Sequence, residues 1–287
     1  MIQLFYNSFF IIQTLKLHHY EKDYVPVCCA VCLHHCGAQS KGSSDADSLV
    51  FDSIVVDTVA MLNGDNDSVR CEIKMNILYA VGANADAVND SIMNSGIFTD
   101  MWKAAEKPDS GITMRQAVDR FVASYIAGYR EECGKMVNEG LSGASLNYEY
   151  IVKTSAKEGR PGVITYLSDI YSFTGGAHGM NLVKAMNFDT ATGAKIGKAD
   201  FFAADADSVV TEGIIKSLSA QYKTDGLDGL KDQGVFALGE PYVPDNFVLG
   251  KDSVTFIYQP YDIAAYALGT IRASVAYSDI ETAIVKK

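Results

Sequence analysis

The chain has 287 residues, of which 48% are hydrophobic and 21% charged, a balance that supports a buried core and excludes a disordered or low-complexity chain. That length accommodates one large domain or two small ones. The formal net charge of −11 opposes nucleic acid and anionic membrane surfaces, so neither is an expected partner, and any partner drawn by charge is cationic.

Residues 1–36 read as a signal or targeting segment. Ile2–Leu15 is mostly apolar, Lys16–Asp23 is polar, and Val25–Leu33 is a second short apolar run. Neither run reaches the roughly 18–20 residues a spanning helix needs. A secretory signal with a start placed too far upstream accounts for the muddled order. Leu33-His34-His35-Cys36 keeps the leucine three positions before the acceptor cysteine of a bacterial lipoprotein, with two histidines where small residues are usual. Cys36 is therefore the expected lipidation site, and the membrane is met only through that anchor. The cysteine-rich run Cys28, Cys29, Cys32 and Cys36 contains a CxxC spacing beside His34 and His35, but no second pair follows it downstream. No metal site and no cofactor are expected. Residues 37–64 supply a polar tether, GAQSKGSSDADS, and the first strand.

Strand signals begin at Leu49–Thr58. Val69 to Tyr79 then alternates apolar with polar residues, placing Cys71 on the apolar face, and the two runs are expected to pair as an antiparallel hairpin. A short helix over 85–93 and a long one over 113–137 follow. Thr113 and Gln116 form a capping box, and Val118, Phe121, Val122, Tyr125, Tyr129, Cys133 and Met136 form one core stripe. Whether Cys71 and Cys133 pair stays open. The segment around Trp102 has no clear period.

Leu146–Thr154, Val163–Ile170 and Leu182–Phe188 read as a meander joined by glycine-rich turns. Beyond it come a helix over 207–222 capped by Asp205 or Asp207, and a short helical piece over 227–233. A hairpin at 247–258, a last strand over 270–276 and a terminal helix over 278–285 complete the chain. The order predicts an α+β fold of two subdomains, 65–170 and 171–287, with antiparallel sheets packed against helices.

The most distinctive stretch is Tyr171–Phe202, YSFTGGAHGMNLVKAMNFDTATGAKIGKADFF. His178 is its one histidine. As a general base it would need a nucleophile and a carboxylate such as Asp169 or Asp189, and no nucleophile-elbow pattern supplies the former. The phosphate-loop spacings are absent as well. Glycines here permit positive φ, and His178 is suited to bonding backbone. Gly175, Gly176, His178 and Gly179 are the candidate binding residues; no catalytic residue is assigned.

Tyr171–Gly179, Asn187-Phe188-Asp189, Thr192-Gly193 and Asp200-Phe201-Phe202 together resemble the paired uncharacterised extracellular domains of RsiV-type anti-sigma factors and PdaC-type peptidoglycan deacetylases. Asn246-Phe247, Phe256-Ile257-Tyr258, Pro260–Ala264, Tyr266-Ala267, Gly269 and Val275-Ala276-Tyr277 extend the resemblance, which covers roughly 65–287. It implies a smaller PdaC-like module followed by a larger RsiV-like one, outside the cytoplasm. In the anti-sigma branch such a module resembles a receptor for lysozyme, a basic protein. The expectation is a non-catalytic binding module of the cell envelope, lipid-anchored or periplasmic or secreted, for a lysozyme-like cationic protein or for peptidoglycan. The alternative is a cell-wall or polysaccharide hydrolase with its site near His178.

Overall fold

The structure is a computed structural model and describes residues 49–63, 68–98 and 111–285. The targeting segment, the CxxC run, the lipid-acceptor Cys36 and the Trp102 segment lie outside the described residues.

Strand β1 (Val50–Met61) pairs antiparallel with β2 (Arg70–Val81), as its alternation predicts, with Ile54 opposite Ile77. Cys71, Ile73, Met75 and Ile77 point into the core while Arg70, Lys74 and Asn76 face solvent. Helices α1 (Ala85–Met93) and α2 (Met114–Asn138) cover that inner face. At the start of α2, Thr113 Oγ1 accepts from the Gln116 amide at 3.2 Å, and Gln116 Oε1 accepts from the Thr113 amide at 2.9 Å. Such a cap contributes about 1 kcal/mol. Phe121, Tyr125 and Tyr129 recur at helical spacing and stack on the sheet, with ring centroids 4.9 Å (Phe121–Tyr150), 5.2 Å (Tyr125–Tyr150) and 5.1 Å (Tyr129–Tyr148) apart.

The chain returns as β3 (Tyr148–Glu158), parallel to β2, a pairing the sequence reading did not anticipate. The reason is the connection: two helices cross over the sheet and bring the chain back to the same end, which only a parallel neighbour accommodates. From there β4 (Val163–Thr174), β5 (Met180–Asp189) and the short β6 (Lys195–Ile196) form the expected antiparallel meander, completing a six-stranded sheet in sequence order.

After the one-turn α3 (Lys198–Phe201), helix α4 (Asp207–Tyr222) and α5 (Gly226–Asp232) precede a second sheet of β7 (Phe247–Leu249), β8 (Ser253–Tyr258) and β9 (Ile271–Ala276). Helix α4 lies on β9 through Val210, Ile214 and Leu218. It comes so close at Gly213 that a Cβ there would meet Val275 Cγ1 at 2.8 Å. Two expectations fail in this half. The N-cap of α4 is Ala206 and makes no side-chain cap bond; Asp207 is instead the first helical residue, 3.2 Å from Lys198 Nζ. The terminal helix is absent: Tyr277–Asp279 and Glu281–Ala283 are separate 3₁₀ turns. They give way because Ile284 pairs with Phe202, and Phe201 and Ala203 share backbone bonds with Val285 and Ala283.

The result is an α+β fold with two antiparallel-rich sheets, each with its own apolar core. Side-chain amides stitch the two together. Asn187, 2% exposed, accepts from Thr165 Oγ1 at 2.7 Å and Leu249 N at 3.0 Å, and donates to Phe247 O at 2.9 Å. Asn246 and Gln259 reach the free edge of β5, where their carbonyl oxygens accept from Ala185 N (2.8 Å) and Val183 N (3.0 Å). Their amide groups donate to Val183 O.

Candidate functional site: an aromatic strip beside the glycine–histidine turn

The turn between β4 and β5 holds the candidate residues, and each glycine except one has a physical reason. Gly175 has φ +80, and a Cβ there would run into the Ser145 carbonyl. Gly179 is buried under the Tyr171 ring, which a Cβ would overlap. Gly176 is exposed with open space around it, so nothing local requires it.

His178 is exposed, and its Nδ1 lies 3.1 Å from Gly179 O. A carbonyl only accepts, so Nδ1 carries the proton in that contact. Its ring stacks on Tyr266 with centroids 3.9 Å apart and planes 19° apart. The Tyr266 hydroxyl donates to the same Gly179 carbonyl. The Tyr261 ring follows, 5.5 Å from Tyr266 and tilted 33°. Tyr261 is 59% exposed, a high value for a tyrosine. The two segments are distant in sequence but meet in one row: His178, Tyr266, Tyr261.

The backbone that presents Tyr261 is unusual. Asp262 N donates to Gln259 O at 3.0 Å, and the Asp262 carboxylate accepts from Gln259 N at 2.7 Å. Pro260 takes the second position of this turn, and Tyr261 the third with φ +74. That is the pattern of a type II turn, whose third position favours glycine. A tyrosine there carries strain of about 1 kcal/mol or more, which the surrounding fold holds in place. Tyr171 stands near the same strip on the outer sheet face, with Ile151 and Asn181 as its cross-strand neighbours. Burial first, then the Glu149 carboxylate and Tyr266, push the Tyr171 phenol pKa up.

Of the two carboxylates named for a hydrolase, Asp189 lies far from this turn. Met180 opens β5 beside the turn, whereas Asp189 closes it opposite Val163, roughly 30 Å away at about 3.3 Å per residue. The Asp189 carboxylate instead accepts from Ala191 N, Thr192 N and Thr192 Oγ1 at 3.0–3.1 Å, shaping its own turn. Asp169 lies opposite Val183, partway along the hairpin and exposed.

A cleft of about 650 Å³, which sequence reasoning missed, opens between β5–β6, α3, the start of α4 and β7. Three of its charged side chains already have structural tasks. Lys198 pairs with Asp207 and donates to Val243 O at 3.3 Å, and Asp200 accepts from Gly197 N at 2.8 Å. Among the described residues, no group of three or more His, Cys, Asp or Glu is placed to hold a metal ion, and no helix is long and apolar enough to cross a membrane.

Fold and site together define a two-sheet α+β module with an aromatic surface built where its two halves meet. Comparison with known proteins shows what this class resembles: separate parts of the chain match PdaC-type and DUF3298-type domains. Residues 64–181 match the family described as Deacetylase PdaC, and residues 199–278 match the family described as Protein of unknown function (DUF3298). A curated relative, the peptidoglycan-N-acetylmuramic acid deacetylase PdaC of Bacillus subtilis, is 24% identical over 159 residues. The alignment takes in 54% of this chain and 33% of that protein, so the chain spans about a third of that relative's length. The crystal structure of a DUF3298-family member from Bacteroides fragilis superposes with a TM-score of 0.74 at 26% identity, covering 85% of this chain and 96% of that one. A DUF3298-family protein from Pseudomonas aeruginosa shares the fold at 15% identity, with a TM-score of 0.59 over 83% of this chain and 95% of its own.

Proposed function

We propose that this chain is a non-catalytic binding module of the bacterial cell envelope and that its ligand is cell-wall glycan. The observation that carries the reading is the row His178–Tyr266–Tyr261, with the exposed Tyr261 ring held at a backbone conformation that favours glycine. One face of a pyranose ring is a patch of polarised C–H bonds, and it packs well on the electron-rich face of an aromatic ring. His178 and Tyr266 lie face to face, 3.9 Å apart, so the exposed Tyr261 at the end of the row is the ring that would meet the sugar first. The B. subtilis relative, named for a peptidoglycan substrate, supports the same address. Anchoring through lipidated Cys36 belongs to the same reading, and a Cys36→Ala variant that stays in the membrane fraction would refute it.

The test is retention of the purified full chain on insoluble peptidoglycan and on immobilised lysozyme, at low and high salt. Retention on peptidoglycan that persists in salt and falls about tenfold in Tyr261→Ala is the expected result. Undiminished retention by a Tyr261→Ala/His178→Ala double variant overturns it. Salt-labile capture of lysozyme alone would favour the acidic-receptor reading, drawn by the net charge of −11. Glycan breakdown abolished by His178→Ala would favour a hydrolase.

A further inference from the structure

Cys71 and Cys133 are the two cysteines among the described residues; both are free thiols with no exposed surface. They come from different elements and meet at one layer of the first core. Cys71 stands on the inner face of β2, its Cα in register with Tyr148 of β3. Cys133 projects from the last turns of α2, with its Sγ 3.6 Å from the carbonyl of Leu146, two residues before Tyr148. One helical turn earlier on the same stripe, the Tyr129 ring packs 5.1 Å from the Tyr148 ring, which fixes the helix over this part of the sheet. The Tyr148 hydroxyl lies beside the Cys133 thiol. Tyr148 thus touches one thiol through its side chain and flanks the other through its backbone.

We propose that Cys71 and Cys133 form a disulfide when the protein folds in an oxidising compartment, tying α2 to β2 and closing the β2–α1–α2 loop. The compartment is the part that rests on the envelope reading above; the pairing rests on geometry alone. One thiolate attacks a disulfide of the oxidant, a thiol–disulfide oxidoreductase or oxidised glutathione, and displaces one of its thiolates. The second protein thiolate then displaces the other sulfur of that mixed disulfide. The protein gives up two electrons and two protons, and the oxidant leaves as two thiols.

The order of events follows from burial. In the folded protein, burial and then the neighbouring Cys133 push the Cys71 thiol up from 9.0 to about 12, and burial raises Cys133 as well. Folded thiols of this kind are inert near neutral pH, so the bond has to form before α2 closes over β2. Once formed, it is shielded from reductant in the same way.

The test has two arms, each read by peptide mass mapping after free thiols are blocked, so that the four N-terminal cysteines are scored separately. In the first, the reduced full chain is refolded from denaturant in a glutathione redox buffer, beside a sample that was already folded when the buffer was added. The expected result is a Cys71–Cys133 cross-linked peptide after refolding, little or none in the pre-folded sample, and a Tm about 5–10 °C above that of the reduced protein. Free Cys71 and Cys133 after refolding, or pairing of either with an N-terminal cysteine, overturns the proposal. In the second arm the protein is taken from cells that export it. A cross-link in the first arm without one in the second refutes the envelope address and leaves the geometry standing. Cys133→Ala should remove both the cross-link and the Tm gain, and reduced wild-type protein serves as the folding control.

Discussion

The amide seam between the two sheets and the aromatic strip at their margin meet their surroundings in opposite ways. Asn187 is enclosed and makes three hydrogen bonds to two different strands, β4 and β7, which fixes its orientation. In the strip, the tethers at Gly179 are confined to the ring edges, through His178 Nδ1 and the Tyr266 hydroxyl, and Tyr261 is 59% exposed. A buried polar group gives stability and orientation only when every partner is present. An exposed aromatic ring on a strained turn, as at Tyr261, adds little to the fold's stability.

Breaking the seam should have the largest effect. Asn187→Leu leaves the Leu249 N–H, the Phe247 carbonyl and the Thr165 hydroxyl without their partner, and should cost about 3–4 kcal/mol in urea denaturation. A loss below about 1 kcal/mol would mean the seam merely fills space. Gly179→Ala comes next, because the added methyl overlaps the Tyr171 ring: about 2 kcal/mol by the same assay, together with weaker glycan retention as the ring moves.

Tyr261→Gly sharpens the contrast, since stability and binding should move in opposite directions. Relief of the positive φ should leave stability unchanged or raise it by up to about 1 kcal/mol, while retention on peptidoglycan falls about tenfold. Parallel losses in both would make Tyr261 a packing residue. His178→Ala removes a stacked but exposed ring. Stability should change by no more than about 0.5 kcal/mol, with peptidoglycan retention reduced severalfold.

The last prediction is silent at neutral pH. The Cys71 pKa is raised in the folded state, so the reduced protein holds that proton more tightly when folded than when unfolded between about pH 9 and 12. The associated stability is complete below pH 9 and is lost as pH rises through that window. Reduced wild type should therefore lose stability relative to reduced Cys71→Ala above pH 9, measured as a difference in urea midpoint. Parallel pH profiles would contradict the burial of that thiol.

Local signals were legible wherever one element decides its own conformation. The alternation from Val69 to Tyr79 and the Thr113–Gln116 box specify their elements through side-chain period and capping, which need no distant partner. The end of the chain was misread for the opposite reason. Ser278–Val285 has helix-compatible residues, yet its backbone is taken by Phe201, Phe202 and Ala203, some eighty positions earlier. The cap of α4 was misjudged in a similar way, because Asp207 turned toward Lys198.

The site divides along the same line. The sequence by itself marked the glycines and His178 as unusual, because positive φ and close backbone approach leave a trace in residue type. Nothing local joined His178 to Tyr266, or showed that Tyr261 occupies a turn position suited to glycine. Those facts depend on β5 and the 259–266 segment lying side by side, held by Gln259 and Asn246 on the edge of β5. Strand period and turn chemistry act within a few residues and are written in the chain. The partner a ring finds across the fold is set by which edges pair, and only the tertiary structure decides that.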